Sequence, residues 1–235
     1  MTKYSHKILS HFPNIPFNVV ALAASKGGIR AVTEILSALP EDFPAAITLV
    51  QHLCPHYRSY LPNLLSRHTP LRVKHAEQGE LLRPGTVYVA IPDKHLLINP
   101  NATLSLSDSA KVNFVRPAVD MLFRSAATSF RSRAIAVVLT GKDGDGVLGT
   151  LAIKKHGGTV IAQDEDTCEC FGMPQAVINT GKVDFVLPLN EIAAQLTSLV
   201  SYEKSNGVST ENIYKVGVWN PLKEQDISVS VSPLV

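Results

Sequence analysis

Short apolar runs alternate with stretches of helical periodicity along most of this chain, and that alternation narrows the folds open to it. Phe17 to Ala24 and Ala45 to Gln51 read as buried strands, Ala134 to Thr140 as a fully apolar strand, and Leu71 to Ala76, Thr159 to Gln163 and Val183 to Leu187 as further strands. Between them Ile29, Val32, Ile35, Leu36 and Leu39 recur at helical spacing, as do Tyr60, Leu61, Leu64 and Leu65. Pro117 suits the start of a helix through Leu122, Phe123 and Ala126. Val147 to His156 forms a helix stopped by Gly157-Gly158, Pro174 to Ile178 a short one, and Asn190 caps the last. Strands alternating with helices predict an α/β fold, a doubly wound, mainly parallel sheet with helices on both faces. Residues 80–107 break the rhythm. Val87 to Ile91, Leu96 to Ile98 and Thr103 to Leu106 are short and separated by Pro-Asp-Lys and Asn-Pro-Asn turns, which predicts a small antiparallel β insertion.

A length of 235 residues, 45% hydrophobic and 18% charged, suits a globular chain with a sizeable core. The net charge of +2 gives no particular attraction to nucleic acid or membrane. No apolar run reaches membrane-spanning length, and the polar start lacks a secretory pattern, so the expected compartment is the cytoplasm. Cys54, Cys168 and Cys170 are too few for a disulfide framework. Nothing completes a metal site around Cys168-Glu169-Cys170, so free thiols and no metal are expected. Beyond about Glu203 the periodicity stops. The expected organisation is an extension over 1–16, a domain over 17–203 and a polar tail over 204–235, with Tyr214 to Trp219 as the tail's apolar cluster.

The first strand must turn sharply into a helix at Ala24-Ser25-Lys26-Gly27-Gly28. A serine there projects its hydroxyl from the end of the sheet, beside the free N–H groups of a helix N-terminus, which favour developing negative charge. That is the layout of a nucleophile elbow, although Ala23 takes the place of the first glycine of G-x-S-x-G. A phosphate loop fits less well, because Ile29-Arg30-Ala31 supplies neither the second lysine nor the metal-binding hydroxyl. A plain Gly-rich turn with a solvated serine is the bland alternative.

Ligands of open parallel sheets bind at the carboxyl ends of the strands. The second strand ends in Gln51-His52, and the apolar strand from Ala134 ends in Thr140-Gly141-Lys142-Asp143-Gly144-Asp145-Gly146. One edge therefore gathers Ser25, His52 and an aspartate of the Gly-rich loop, the residue types of a hydrolytic triad. The order Ser, His, Asp is not that of the ordinary α/β-hydrolase. His56 is the nearest rival to His52. The Gly-rich run is also compatible with a simple turn or a cation loop, but it lacks the later glutamate of an EF-hand.

The chain resembles the catalytic domain of the chemotaxis protein-glutamate methylesterases, the CheB family. The resemblance is carried by Ala24-Ser25-Lys26-Gly27-Gly28, Val50-Gln51-His52, Pro92-Asp93-Lys94-His95, Arg116 to Phe123 and Leu139 through Gly146. Ile161-Ala162-Gln163-Asp164 and Phe171 to Ala176 follow in the family's order, so that about 17–198 is covered. The resemblance implies Ser25 as nucleophile, His52 as general base then acid, and Asp145 as the orienting carboxylate. It places Lys26, Gly27 and Lys142 around the oxyanion and substrate. Lys26 stands where the family has Thr, Lys142 where it has Met, and Asp143-Gly144-Asp145-Gly146 where it has Gly-Asn-Asp-Gly. For Asp93, Arg116 and Asp120, salt bridges or caps are the expected roles.

What the resemblance implies is a carboxylic ester hydrolase of a two-component signalling pathway. It demethylates glutamate methyl esters, and deamidates glutamines, on a methyl-accepting chemoreceptor-like protein, without metal or cofactor. An esterase or amidase of the same fold with another substrate, and a catalytically weak interaction module, are the rivals. The family's usual member begins with a receiver domain, for which the sixteen residues ahead of the first strand leave no room. Constitutive activity or control by a separate regulator is therefore expected.

Overall fold

A computed structural model describes residues 16–52 and 59–205. The apolar run at the start forms β1 (Asn18–Ala24), every residue of it buried. It is followed by α1 (Gly28–Ala38), β2 (Ala45–Gln51), α2 (Leu61–Leu65), β3 (Arg72–His75) and β4 (Thr86–Val89). Then come β5 (His95–Ile98), β6 (Leu104–Ser107), α3 (Val119–Phe130), β7 (Ala134–Val138) and α4 (Val147–Lys155). The described chain ends with β8 (Thr159–Gln163), α5 (Gly172–Ile178), β9 (Phe185–Leu187) and α6 (Leu189–Ser205).

The main sheet has seven strands in the order β3-β4-β2-β1-β7-β8-β9, all neighbours parallel, and β5 and β6 form a separate antiparallel pair. Strands buried on both faces need cover on both. Along β1 the alternation of side chains divides the two cores. Val19, Ala21 and Ala23 face the layer built on Phe123 and Ala126 of α3, Ile153 of α4 and Val177 of α5. Val20, Leu22 and Ala24 face Val32 and Ile35 of α1, Leu65 of α2 and Ile192 and Leu196 of α6. The chain leaves β1 toward β2 on one side and returns as β7 on the other. The carboxyl ends of β1 and β7 therefore flank the topological switch point, where such sheets leave a crevice.

Several details differ from the sequence reading. The run Val87 to Ile91 is not part of the antiparallel insertion. It supplies β4, which lies inside the parallel sheet between β3 and β2, with all four residues buried. An uninterrupted apolar run belongs in a strand covered on both faces, and only β5 and β6 remain as the insertion. Ile29 is 39% exposed, and Ala31 takes its place in the buried stripe of α1. Asn190 is not the cap of α6 but its second residue. The N–H of Leu189 instead donates to Thr167 Oγ1 at 3.1 Å. The apolar cluster Tyr214 to Trp219 and nearly all of the N-terminal extension lie outside the described residues. No helix among the described residues is long and apolar enough to cross a membrane.

α3 and α4 approach closely because Gly149 has no side chain. A Cβ there would stand 2.5 Å from Phe123 Cβ, and Phe123 is fully buried. Gly149→Ala gains about 1 kcal/mol of helix propensity. Overpacking costs about 1–3 kcal/mol, and any separation of the helices also strains the bond from Gly149 N–H to Asp120. The expected result is a lower urea midpoint for Gly149→Ala. An unchanged or higher midpoint shows that the two helices are free to move apart.

Candidate active site

The three residues singled out in the sequence emerge from neighbouring strands at one edge. The register pairs Ala24 of β1 with Gln51 of β2. The next residue of each strand, Ser25 and His52, therefore comes out about one strand spacing from the other, ~4.8 Å. Both stay tied to the sheet. His52 N–H donates to Ala24 O at 2.9 Å, and Ser25 N–H to Thr140 O at 3.0 Å, across the β1–β7 crevice. Gly141 follows Thr140 and passes so near the nucleophile turn that a Cβ on it would lie 2.8 Å from Ser25 Cβ. Gly27 completes the turn at φ +78°, a left-handed conformation suited to glycine, and α1 starts at the next residue.

His52 Nε2 lies 3.1 Å from Asp145 Oδ2, with the two side chains 10% and 1% exposed. The other ring nitrogen, Nδ1, is buried and has no hydrogen-bond partner among the described residues. Asp145 sits in the loop between β7 and α4. Its Oδ2 accepts Val119 N–H at 2.7 Å and its Oδ1 accepts Asp120 N–H at 3.0 Å. These are the first two N–H groups of α3, a helix N-terminus that favours an anion. A neutral imidazole donating from Nε2 to this carboxylate keeps its lone pair on Nδ1. Asp143, the other aspartate of the loop, is exposed.

The neighbouring positions are open. Lys26 and Lys142 are both exposed, and neither backbone N–H donates to another described residue. Lys26 Nζ is 3.5 Å from Glu169 Oε1, with side chains 52% and 56% exposed, so its charge faces an acidic partner above Gly27. Asp93 and Arg116 are an ion pair at 2.8 Å, and Arg116 also donates to the carbonyls of Asp108 and Ser109. Asp120 accepts Gly149 N–H at 2.7 Å and so caps the first turn of α4 from the neighbouring helix. Cys168 and Cys170 are free thiols, and burial pushes the Cys168 thiol up to about 12. No group of three or more His, Cys, Asp or Glu is placed to hold a metal ion among the described residues. His56 and Cys54 lie outside them.

Sequence reasoning passed over the polar side chains that join these loops. Gln51 is buried, and its Nε2 donates to the carbonyls of Ser25 and His52. Thr140 Oγ1 accepts Cys170 N–H at 2.8 Å and lies 2.9 Å from Lys26 O. Gln163 Oε1 accepts Thr140 N–H at 3.0 Å. Each ends an otherwise apolar run, and a polar residue at that point was the available signal.

A parallel α/β sheet with Ser, His and a helix-anchored Asp at its switch point defines an α/β protein that gathers the residue types of a hydrolytic triad at its strand ends. A sequence model of the family described as CheB methylesterase matches residues 20–196, and the chain belongs to that family. It is 43% identical over 191 residues to a Thermotoga maritima protein named protein-glutamate methylesterase/protein-glutamine glutaminase, covering 80% of this chain and 56% of that one. It is 42% identical over 188 residues to the protein-glutamate methylesterase FrzG of Myxococcus xanthus, again 80% of this chain and 56% of the relative. The chain thus spans about half the length of the curated relatives it matches. The crystal structure of the Thermotoga maritima CheB methylesterase catalytic domain superposes with a TM-score of 0.76 at 43% identity, over 78% of this chain and 99% of that domain.

Burial, foremost, and then the nearby charge of Asp145 push the Asp120 carboxyl above its ordinary value, against the opposing pull of the Gly149 N–H. A raised folded value means that the folded state holds this proton more tightly than the unfolded chain does. The stability it contributes is present below the unfolded value, about pH 4, and is lost as pH rises through the folded one. Asp120→Asn keeps the acceptor for Gly149 N–H and removes the titration. Relative to wild type, the variant should gain stability between acidic and neutral pH in urea unfolding. A difference that stays flat, or falls, with pH counts against the burial argument.

Proposed function

We propose that this chain is a serine hydrolase that cleaves glutamate methyl esters of a chemoreceptor-like protein, releasing methanol, and deamidates glutamines by the same acyl chemistry, releasing ammonia. The observation that carries the reading is the pairing of His52 Nε2 with the helix-anchored Asp145. It leaves Nδ1 without a partner among the described residues, on the residue that follows β2 beside the Ser25 turn. The names of the relatives supply the substrate class.

In this mechanism Ser25 Oγ attacks the ester carbonyl and gives its proton to His52 Nδ1. The imidazolium is stabilised by Asp145 through Nε2. The backbone N–H groups of Lys26 and Lys142 receive the oxyanion, and the side chains play no part in that step. Collapse of the tetrahedral intermediate breaks the bond to the methoxy oxygen, which takes the proton from Nδ1 and leaves as methanol. Water then attacks the acyl-serine, His52 takes its proton and returns it to Ser25 Oγ, and glutamate is freed. The catalytic unit spans 17–203, flanked by 1–16 and 204–235. Its partner is a methyl-accepting protein in the cytoplasm, with a separate regulator as the candidate for control.

Methanol release from a methylated receptor signalling domain tests the reading. Wild type should release it. Ser25→Ala should fall by on the order of 10⁶ in turnover, as loss of the nucleophile does in a comparable triad. Ser25 labelling by a fluorophosphonate without methanol release points to a different ester or amide. No labelling at all leaves an interaction module.

The two aspartates of the loop separate by rank. Asp145→Asn should cost about 10⁴-fold in turnover by favouring the wrong imidazole tautomer. Asp143→Asn, with its exposed side chain, should cost less than about tenfold, or 1.4 kcal/mol of barrier. The reverse order assigns the wrong carboxylate.

A further inference from the structure

Gln51 is the last residue of β2, directly before His52, and is paired in register with Ala24, the residue before Ser25. Its side chain is buried, with the residue only 6% exposed. Nε2 donates to Ser25 O at 2.8 Å and to His52 O at 3.1 Å. Oε1 is buried and has no partner among the described residues. It occupies the space that a side chain on Gly28 would need. The opposite amide orientation would set Oε1 against two carbonyl oxygens, so the donors must face Ser25 and His52.

A buried glutamine that leaves its own acceptor unsatisfied gives up free energy, since a lone buried acceptor costs about 1–3 kcal/mol. What the arrangement secures is the plane of one peptide. Peptides are planar and trans, so a Ser25 carbonyl held on the Gln51 side turns the Lys26 N–H to the opposite side. That N–H belongs to the residue after the serine, the usual donor of a nucleophile elbow. It donates to no described residue. The same amide holds the carbonyl of His52.

We propose that Gln51 is a positioning residue, whose carboxamide fixes the Lys26 N–H as oxyanion donor and sets His52 beside it. This rests on the serine-hydrolase reading and extends it to a residue that touches neither substrate nor reacting atoms. The Gly28 N–H also binds Ser25 O, at 3.0 Å, so loss of Gln51 loosens the turn rather than dismantling it. Misplacing a donor by about 1 Å costs on the order of 100-fold, and the expected loss is about 10–100-fold.

The full chain and two variants test this with a fluorophosphonate and p-nitrophenyl acetate. Gln51→Met keeps the length and removes the donors, while Gln51→Glu keeps the size and replaces the NH₂ by an acceptor. In both, Ser25 should be labelled to the wild-type end point but about 10–100-fold more slowly. The kcat on p-nitrophenyl acetate should fall by the same factor, with KM within about twofold. Should Gln51→Met fail to fold, Gln51→Glu decides. Wild-type labelling rates, a rise in KM at unchanged kcat, or a labelling end point reduced in proportion to rate would each overturn the assignment. An unlabelled wild-type chain sinks the hydrolase reading itself. A labelled wild type with an indifferent Gln51 sinks only the role of Gln51.

Discussion

The carboxylate of Asp145, seated on the first two N–H groups of α3, is the contact on which the site geometry depends. It joins three elements distant in sequence: the loop after β7, the start of α3 and, through His52, the end of β2. Each has its own reason to be there. β2 and β7 flank β1 in a parallel sheet, so their ends must share an edge. α3 runs back against β7, which brings its N-terminus to that edge. A helix N-terminus has N–H groups without intrahelical acceptors, and an anion satisfies them. Asp145 meets that need with both oxygens, and Oδ2, which accepts Val119 N–H, also meets His52 Nε2. Asp120 repeats the arrangement one step away by accepting the Gly149 N–H of α4, so the two helices and the loop between β7 and α4 form one hydrogen-bonded unit.

The loops at the edge are held by buried amides and hydroxyls rather than by ion pairs. Gln51 joins the turn after β1 to the end of β2, and Thr140 joins the same turn to the 168–170 segment. Gln163 fixes Thr140 and reaches Thr167, whose hydroxyl receives the first N–H of α6. Neutral groups suit this task. They supply partners to the main-chain groups of the turns, and none carries the desolvation penalty of a buried charge. Of the charged groups at this edge, Lys26, Glu169 and Asp143 lie at the surface, and the buried carboxylate of Asp145 is met by the N–H groups of α3.

The strand and helix pattern was legible because strands covered on both faces are apolar throughout, and β1, β2, β7 and β8 stood out as such runs. The misreadings came where that signal was shared. Val87 to Ile91 is as apolar as a central strand, yet the turns that follow it belong to a hairpin, and the hairpin claimed the run. Asn190 has the side chain of a cap, but Thr167, far away in sequence, supplies the hydroxyl. At the site, strand ends and the resemblance pointed to Ser25, His52 and Asp145 together. The ring nitrogen that meets the carboxylate, and the α3 donors beneath it, depend on how three separate loops meet, which no local pattern encodes. Gln51 and Thr140 were in plain view at strand ends but had no spacing to mark them.

Lys26 and Lys142 are two positions at which the sequence resemblance implies a departure from the family pattern, and the geometry limits what such departures can alter. In the proposed chemistry the oxyanion is received by main-chain N–H groups, which are the same whatever side chain follows. The orientation of the Lys26 N–H is governed by what holds the Ser25 carbonyl, and Gln51 and Gly28 hold it. A lysine in place of a threonine therefore leaves the donors intact and changes the rim. There Lys26 is already met by Glu169, at a distance and exposure where an ion pair is worth about 0–1 kcal/mol. A pair that weak yields readily to an approaching carboxylate or amide. Lys142 is exposed and forms no ion pair among the described residues. In the proposed reading the rim can thus change its charge without disturbing the groups below. That separation, a buried hydrogen-bonded framework under an exchangeable charged rim, lets a site of this kind change its surroundings while its geometry stays in place.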